Sequence, residues 1–239
     1  MEYDDDFPGG RGRVADLRAA AQKAAAKLEA ELGRPLEPAF PHGRQVARSF
    51  WGRAWCRHIE SFQDYESRLP RGRSYLRNGA VLDLEILPGH VRAAVAGSSL
   101  YRVEITVDPL EPERWKELRR RCAGGIGSLV DLIEGKLSDE IIAVLCDPEE
   151  GIFPTADEIR LDCNCPDWSD LCKHLAAVLY GVGARLDDRP ELLFVLRGVE
   201  SSELFRDDLA ETLPEAALSE LELKSLGETF GIELDSLDN

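Results

Sequence analysis

Residues 163–174 read Cys-Asn-Cys-Pro-Asp-Trp-Ser-Asp-Leu-Cys-Lys-His, which places three thiols and one imidazole within twelve residues. Three cysteines and a histidine are a usual ligand set of a structural zinc site, where the protein supplies all four ligands and no position is left for a substrate. The stretch therefore predicts a binding module and not an enzyme. The expected cofactor is one zinc ion per chain, bound by Cys163, Cys165, Cys172 and His174.

The spacing of these ligands predicts a strand, a knuckle and a helix joined by the metal. Residues two apart on a strand face the same side, so Cys163 and Cys165 can reach one ion from an extended segment. Side chains two apart on a regular helix diverge, so Cys172 and His174 converge only if Cys172 lies at or before the first turn. We expect the Ser-Asp pair at 169–170 to cap that helix.

Two other metal assignments agree less well with the chemistry of the cluster. Iron–sulfur clusters are normally held by four cysteines, and this stretch has three. A catalytic zinc site needs an open coordination position and a nearby base, and the sequence contains neither an H-E-x-x-H pattern nor a deaminase signature. A closed zinc site remains the prediction.

The composition is that of a globular protein in a reducing compartment. The chain has 239 residues, of which 44% are hydrophobic, enough to build a core. Cys56, Cys122 and Cys146 are scattered and follow no disulfide framework. No apolar run approaches the ~18 residues that a membrane span needs, and the first residues are acidic, unlike a secretory leader. We expect a cytoplasmic protein with no membrane partner.

The charge is distributed unevenly along the chain. The formal net charge of -16 disfavours nucleic-acid binding by the protein as a whole. Residues 42–78, however, contain eight arginines and three acids, a net charge of +5. Arginine forks suit phosphate oxygens and aromatic rings stack on bases, so this segment is a candidate surface for nucleic acid or for an acidic partner. The candidate residues are Arg44, Arg48, Arg53, Arg57, Arg71, Arg73, Tyr75 and Arg77.

A second interpretation of the basic segment stays open. The chain has 45 acidic residues, and the arginines could form weak surface ion pairs with them. At the other end, residues 198–239 contain twelve acids and two bases, a net charge of -10. Leucines at helical spacing in this acidic tail predict an amphipathic helix, which is either a solvated helical end or an element that docks onto a basic protein surface. They are Leu218, Leu221 and Leu226.

The predicted fold is α+β, with a small antiparallel sheet and several helices. Four segments are expected: a flexible N-terminus with a helix and a proline linker, an α+β body with the arginine-rich segment, the zinc finger with its helix, and an acidic helical tail. Their bounds are 1–41, 42–150, 151–197 and 198–239.

Within the body, a helix is predicted over 50–62, with Trp51 and Trp55 in the core. A basic loop or irregular strand is predicted over 69–79. Three strands at 81–86, 91–95 and 101–107 predict an antiparallel meander. The helix after the finger is predicted over 174–180, where glycines follow.

The order Cys-x-Cys, short spacer, Cys-x-His and an apolar helix of small residues resembles the SWIM-type zinc finger over about residues 155–185. The stretches Arg-Ser-Phe-Trp-Gly-Arg-Ala-Trp-Cys at 48–56 and Arg-Gly-Arg-Ser-Tyr-Leu-Arg-Asn-Gly at 71–79 are similar to bacterial SWIM proteins of this length. The resemblance implies the same four zinc ligands, binding of DNA or protein through the finger, and a partner of the remodeller type of DNA-dependent ATPase or helicase.

This finger departs from a basic nucleic-acid finger, because Asp162, Asp167 and Asp170 surround the ligands and Lys173 alone is positive. We therefore expect a non-catalytic accessory protein of a DNA-handling complex whose basic segment contacts DNA, RNA or a partner. One alternative is a pure protein–protein adaptor, which would lack the steep salt dependence of phosphate binding. Another is an enzyme, although no acid–base pair is evident in the sequence.

Overall fold

The computed structural model describes residues 11–41, 43, 45–62 and 68–204. Within these ranges the chain forms eight α-helices and one four-stranded antiparallel sheet, which confirms the predicted α+β class. The helices are α1 (Arg11–Leu32), α2 (Phe50–Glu60), α3 (Leu69–Arg77), α4 (Pro112–Cys122), α5 (Leu129–Glu134), α6 (Asp139–Leu145), α7 (Lys173–Asp188) and α8 (Glu191–Arg197).

The sheet has the order β1-β2-β3-β4, with every neighbouring pair antiparallel. Its strands are β1 (Val81–Leu87), β2 (His90–Ala96), β3 (Leu100–Val107) and β4 (Ile159–Cys163). The first three strands form the predicted meander, with a turn at Gly89, whose φ of +70° suits glycine. The chain leaves the sheet through α4, α5 and α6 and returns as β4, where Cys163 pairs with Val103. The first metal ligand is thus fixed to the sheet.

The prediction of a loop or irregular strand over 69–79 is wrong, because Leu69–Arg77 is helical. Pro70 lies in the first turn of α3, where its missing N–H costs no hydrogen bond. Gly72 faces α7, and a β-carbon there would lie 2.4 Å from the β-carbon of Ala176. Pro70 and Gly72 suggested a loop, but Pro70 begins the helix and Gly72 allows its close contact with α7.

The helix of the finger is also longer than predicted, since α7 continues through Gly181 and Gly183 to Asp188. These glycines allow a close approach of neighbouring elements. A β-carbon on Gly183 would lie 2.6 Å from Cys56 Sγ on α2, and one on Gly181 would lie 2.8 Å from Leu84 Cδ1 on β1. Tertiary packing here outweighs the weak intrinsic preference of glycine against helix.

The predicted tryptophan core is confirmed. Trp51 and Trp55 are buried, and their indole N–H groups donate to the carbonyl oxygens of Leu132 at 2.7 Å and Leu179 at 2.8 Å. One hydrophobic cluster joins α2, α3, α7 and the inner face of the sheet. The helix that carries the finger's last ligand is therefore the central helix of this core.

The described start of the acidic tail packs against the body. Leu204 is buried, and Glu203 Oε2 accepts a hydrogen bond from Trp115 Nε1 on α4 at 2.8 Å. The rest of the predicted tail, including Leu218, Leu221 and Leu226, lies outside the described residues. In the part that the structure describes, none of the helices combines the length and the apolar character needed to cross a bilayer.

Candidate metal centre

The four predicted ligands come together where β4 ends and α7 begins. Cys163 is the last residue of β4, and Cys165 follows in the connecting loop. Cys172 is the N-cap of α7, and His174 is the second residue of this helix. The predicted strand, knuckle and helix are present, with Cys172 placed before the first turn as the convergence of the ligands requires.

The donor atoms of these residues fit a tetrahedral zinc ion. All four lie within 4.8 Å of one another. His174 Nδ1 is 3.8 Å from Cys172 Sγ and 4.0 Å from Cys163 Sγ. Ordinary zinc–sulfur and zinc–nitrogen bond lengths put neighbouring donors about 3.6 to 3.8 Å apart, so a small contraction around the ion completes the site. Three thiolates and one imidazole leave no coordination position for a substrate.

Cys172, and not the predicted pair at 169–170, caps α7. Its Sγ accepts a hydrogen bond from Leu175 N at 3.4 Å, because its extended backbone turns the side chain toward the free N–H groups of the first turn. A hydrogen bond from the Cys163 thiol, aided by His174 and Leu175, lowers the pKa of Cys172 well below its ordinary value. A thiolate is the form that binds zinc, so the fold favours the ligand state of Cys172. The hydrogen bond to Cys172 raises the pKa of Cys163, and burial raises that of Cys165, so these two thiols would lose their protons on metal binding.

The imidazole of His174 is oriented by two aromatic rings. Tyr101 stacks on it with ring centroids 4.2 Å apart, and Tyr75 meets it edge-on at 5.4 Å. His174 is buried, and its Nε2 has no hydrogen-bond partner among the described residues, whereas Nδ1 faces the thiols. Packing, and not a second hydrogen bond, selects the nitrogen that meets the metal.

The loop between the two ligand pairs is ordered from within. Asp167 Oδ1 accepts hydrogen bonds from the backbone N and the hydroxyl of Ser169, and Asp167 forms a 3.6 Å ion pair with Arg68 just before α3. Leu171 in this loop is buried, whereas Trp168 is 100% exposed. The knuckle thus exposes the indole of Trp168 on a loop whose backbone is held by the contacts of Asp167.

Four of the predicted arginines meet in one cleft between α2 and α3. Arg53 and Arg57 on α2, and Arg73 and Arg77 on α3, line a cleft of about 490 Å³. Arg73 Nη2 donates to Tyr180 Oη at 2.7 Å and also pairs with Glu60, and Tyr180 is a residue of α7. We name this the arginine cleft.

The other predicted contact residues lie elsewhere. Arg48 donates its backbone N–H to Asp187 at the start of α2, and Arg71 is exposed on α3 but does not line the cleft. Tyr75 is buried against His174, so its ring does not offer a stacking surface. Arg44 lies outside the described residues. The segment that was predicted as one surface is divided between a cleft, the core and a capping contact.

Two exposed aromatic residues were missing from the predicted site. Trp168 lies in the knuckle, and Phe40 lies in the linker after α1 with 55% of its surface exposed. Both occur in short polar or proline-containing stretches, Pro-Asp-Trp-Ser-Asp and Pro-Ala-Phe-Pro. A large apolar side chain in such a stretch has no helix or strand periodicity to bury it, which is the signal that could have identified them.

Comparison with known proteins supports this description of the metal centre. Residues 143–182 match the family model of the SWIM zinc finger. The chain is 33% identical over 162 residues to the uncharacterized protein Rv2102 of Mycobacterium tuberculosis, a region that covers 66% of this chain and 58% of that protein. No solved structure matches the chain. The match spans all four residues of the metal centre, and the chain therefore carries a SWIM zinc finger.

Proposed function

We propose that this protein is a non-enzymatic, zinc-folded accessory protein of the cytoplasm that binds nucleic acid in a DNA-handling complex. A remodeller-type helicase or related DNA-dependent ATPase is the proposed protein partner. The observation that carries the proposal is the convergence of four arginines from two helices on the arginine cleft. Guanidinium groups match phosphate oxygens in geometry and charge, and the cleft offers a local positive site on an acidic protein.

Arg53 and Arg57 differ from Arg73 in their contacts with the described residues. The side chains of Arg53 and Arg57 form no hydrogen bond or ion pair with the residues that the structure describes. Arg73 is held by Glu60 and Tyr180, which fixes its direction in the cleft. Two guanidinium groups without a partner among the described residues, beside a fixed one, suit the oxygens of a phosphate backbone.

The zinc site supports the cleft through α7. Zinc would join Cys163 on the sheet to His174 at the start of α7, and structural zinc contributes directly to folding free energy. Both α2 and α3 pack on α7 through glycine contacts, and Arg73 bonds to Tyr180 of the same helix. The metal therefore holds the scaffold that orients the arginines, whereas the closed ligand set supports a role without catalysis.

Binding of fluorescently labelled DNA by the zinc-loaded protein, measured by anisotropy over a series of salt concentrations, tests this proposal. Arg53→Ala/Arg57→Ala should weaken binding and reduce the slope of log affinity against log salt by about 1.5 to 2, because two phosphate contacts are lost. Arg92→Ala/Arg102→Ala is the matched control, since it removes the same charge from exposed positions of the sheet. Equal binding by both double variants would reject the arginine cleft as the binding site.

A second candidate function, the protein–protein adaptor, is favoured by Trp168. A fully exposed tryptophan on a braced loop has the character of an interface anchor, since tryptophan is enriched among residues that dominate binding energy. Exposed Asp162 and Asp170 nearby would favour a basic partner surface. Co-purification of the helicase partner with wild-type protein but not with Trp168→Ala, together with no binding of DNA, would favour the adaptor.

A further inference from the structure

Arg77 connects the arginine cleft to a neighbouring hollow that contains an exposed aromatic ring. Besides lining the cleft, Arg77 lines a hollow of about 570 Å³ together with Phe40, Pro41 and Gly43. Arg73 and Arg77 are one helical turn apart on α3, about 6 Å along the axis. A ligand that follows the arginines along α3 is therefore led to Phe40.

The backbone just before Phe40 is fixed by contacts with α7 and with β1. Arg185 Nη2 on α7 donates to the carbonyl oxygens of Glu37 at 2.9 Å and Pro38 at 3.3 Å. Ala39 is buried, and its N–H donates to Val81 O on β1 at 3.3 Å. Phe40 is thus presented from an anchored segment, which reduces the conformational entropy that it would lose on binding a ligand.

The Phe40 ring is supported by bare backbone and remains open to solvent. A β-carbon placed on Gly79 would lie only 3.1 Å from Phe40 Cε1, so the ring rests on a glycine that has no side chain to displace it. Gly79 has a φ of +71°, which also disfavours other residues there. More than half of the surface of Phe40 is exposed. It is a supported aromatic surface beside a basic cleft.

We infer that the arginine cleft and Phe40 form one site for single-stranded nucleic acid, with phosphates at the arginines and a base stacked on Phe40. This inference rests on the proposed function and names its substrate class. A single strand can turn a base toward the ring while its backbone follows the cleft, and base–aromatic stacking tolerates any sequence. In a duplex the bases are paired and stacked within the helix, so they would have to be unstacked to reach Phe40.

The test uses the full-length zinc-loaded protein with labelled oligo(dT), oligo(U) and a hairpin duplex in anisotropy titrations. Phe40→Ala should weaken binding of oligo(dT) or oligo(U) roughly 5- to 100-fold, the loss expected for one stacked base. The salt dependence should be unchanged because the phosphate contacts remain. Phe40→Trp should retain affinity, and Trp168→Ala, which removes an exposed aromatic from the knuckle, should leave it unchanged. Comparison of oligo(dT) with oligo(U) shows which strand chemistry is preferred.

Different results would reject the single-strand site and nucleic-acid binding by the arginine cleft. Wild-type affinity in Phe40→Ala, or a duplex bound as tightly as oligo(dT), would overturn strand selectivity while a loss in Arg53→Ala/Arg57→Ala would still support the cleft. A loss in Trp168→Ala without one in Phe40→Ala would move the contact to the knuckle and overturn the inference. Absence of binding to all three probes would reject both.

Discussion

Gly72 on α3 and Ala176 on α7 pack so closely that a β-carbon on Gly72 would stand 2.4 Å from that of Ala176. The backbone N of Ala177 is almost as near, at 2.7 Å from the same position. Because α3 carries Arg73 and Arg77 and α7 carries His174, this contact transmits the position of the metal centre to the arginine cleft.

Gly72→Ala should destabilise the protein, although alanine is the better helix former. Overpacking against backbone typically costs about 1 to 3 kcal/mol, and the gain in helix propensity offsets up to about 1 kcal/mol. We expect a net loss of about 1 to 2 kcal/mol in the free energy of unfolding, measured by denaturant titration. Ser74→Ala, on the same helix, should change it by less than about 0.5 kcal/mol. A Gly72→Ala variant as stable as the wild type would show that the helices can separate without cost.

Asp187 should be required for the start of α2. Its carboxylate accepts hydrogen bonds from the backbone N of Arg48 at 2.6 Å and of Ser49 at 2.9 Å, and from the Ser49 hydroxyl at 2.8 Å. Removing the acceptor leaves these donors unpaired, so Asp187→Ala should cost about 1 to 3 kcal/mol. Asp187→Asn keeps one acceptor oxygen and should lose less. Thermal melts that rank the two variants in the opposite order would argue against this capping contact.

Lowering the pH should destabilise the protein, partly because of His58. Burial lowers the pKa of His58 below its ordinary 6.5, and Nε2–H donates to Pro154 O at 2.8 Å. The unfolded state therefore binds this proton more readily than the folded state. Stability that is present above pH 6.5 is lost as the pH falls from 6.5 through the lower pKa of the folded state.

His58→Gln removes this titration and retains a donor for the carbonyl. The free energy of unfolding of the variant should depend less on pH below about 6.5 than that of the wild type, whereas protonation of the zinc ligands affects both proteins alike. Denaturant titrations of the two proteins between neutral and mildly acidic pH measure the difference. Parallel pH dependences would show that His58 does not contribute.

Removal of the residues after Leu204 should leave the core intact and strengthen nucleic-acid binding. Leu204 is buried and Glu203 bonds to Trp115, so the truncation is placed after these residues. The removed part carries ten acids and two bases, a net charge of -8, which repels phosphates at low salt. Zinc content and melting temperature should be unchanged, and association with the protein partner should decrease. A truncated chain that loses zinc would place the tail in the core.

The ligand set could be predicted from sequence because spacing alone restricts its geometry. To reach one ion, Cys163 and Cys165 must lie on an extended segment, and Cys172 and His174 must lie at the start of a helix. Each condition involves only residues that are close in the sequence. The strand meander was predictable for the same reason, since its breaks coincide with turn residues.

Contacts between distant residues account for what the sequence did not predict. Gly72 and Gly183 indicate breaks when only their propensity is considered, yet both are close contacts with another helix. The separation of Tyr75 from the arginines depends on which face of α3 meets His174, and the support of Phe40 depends on Gly79. These relationships exist only after the helices have packed on α7.

The most direct test of the account is the zinc content of the purified protein, measured by elemental analysis and native mass spectrometry. We predict one zinc per chain in the wild type and in Cys122→Ala, which removes a buried thiol that is not a ligand, and none in Cys172→Ala. Loss of zinc should also lower the melting temperature, because the ion contributes directly to folding. A wild-type protein that contains iron or no zinc, or a Cys172→Ala variant that retains the full zinc content, would contradict the account.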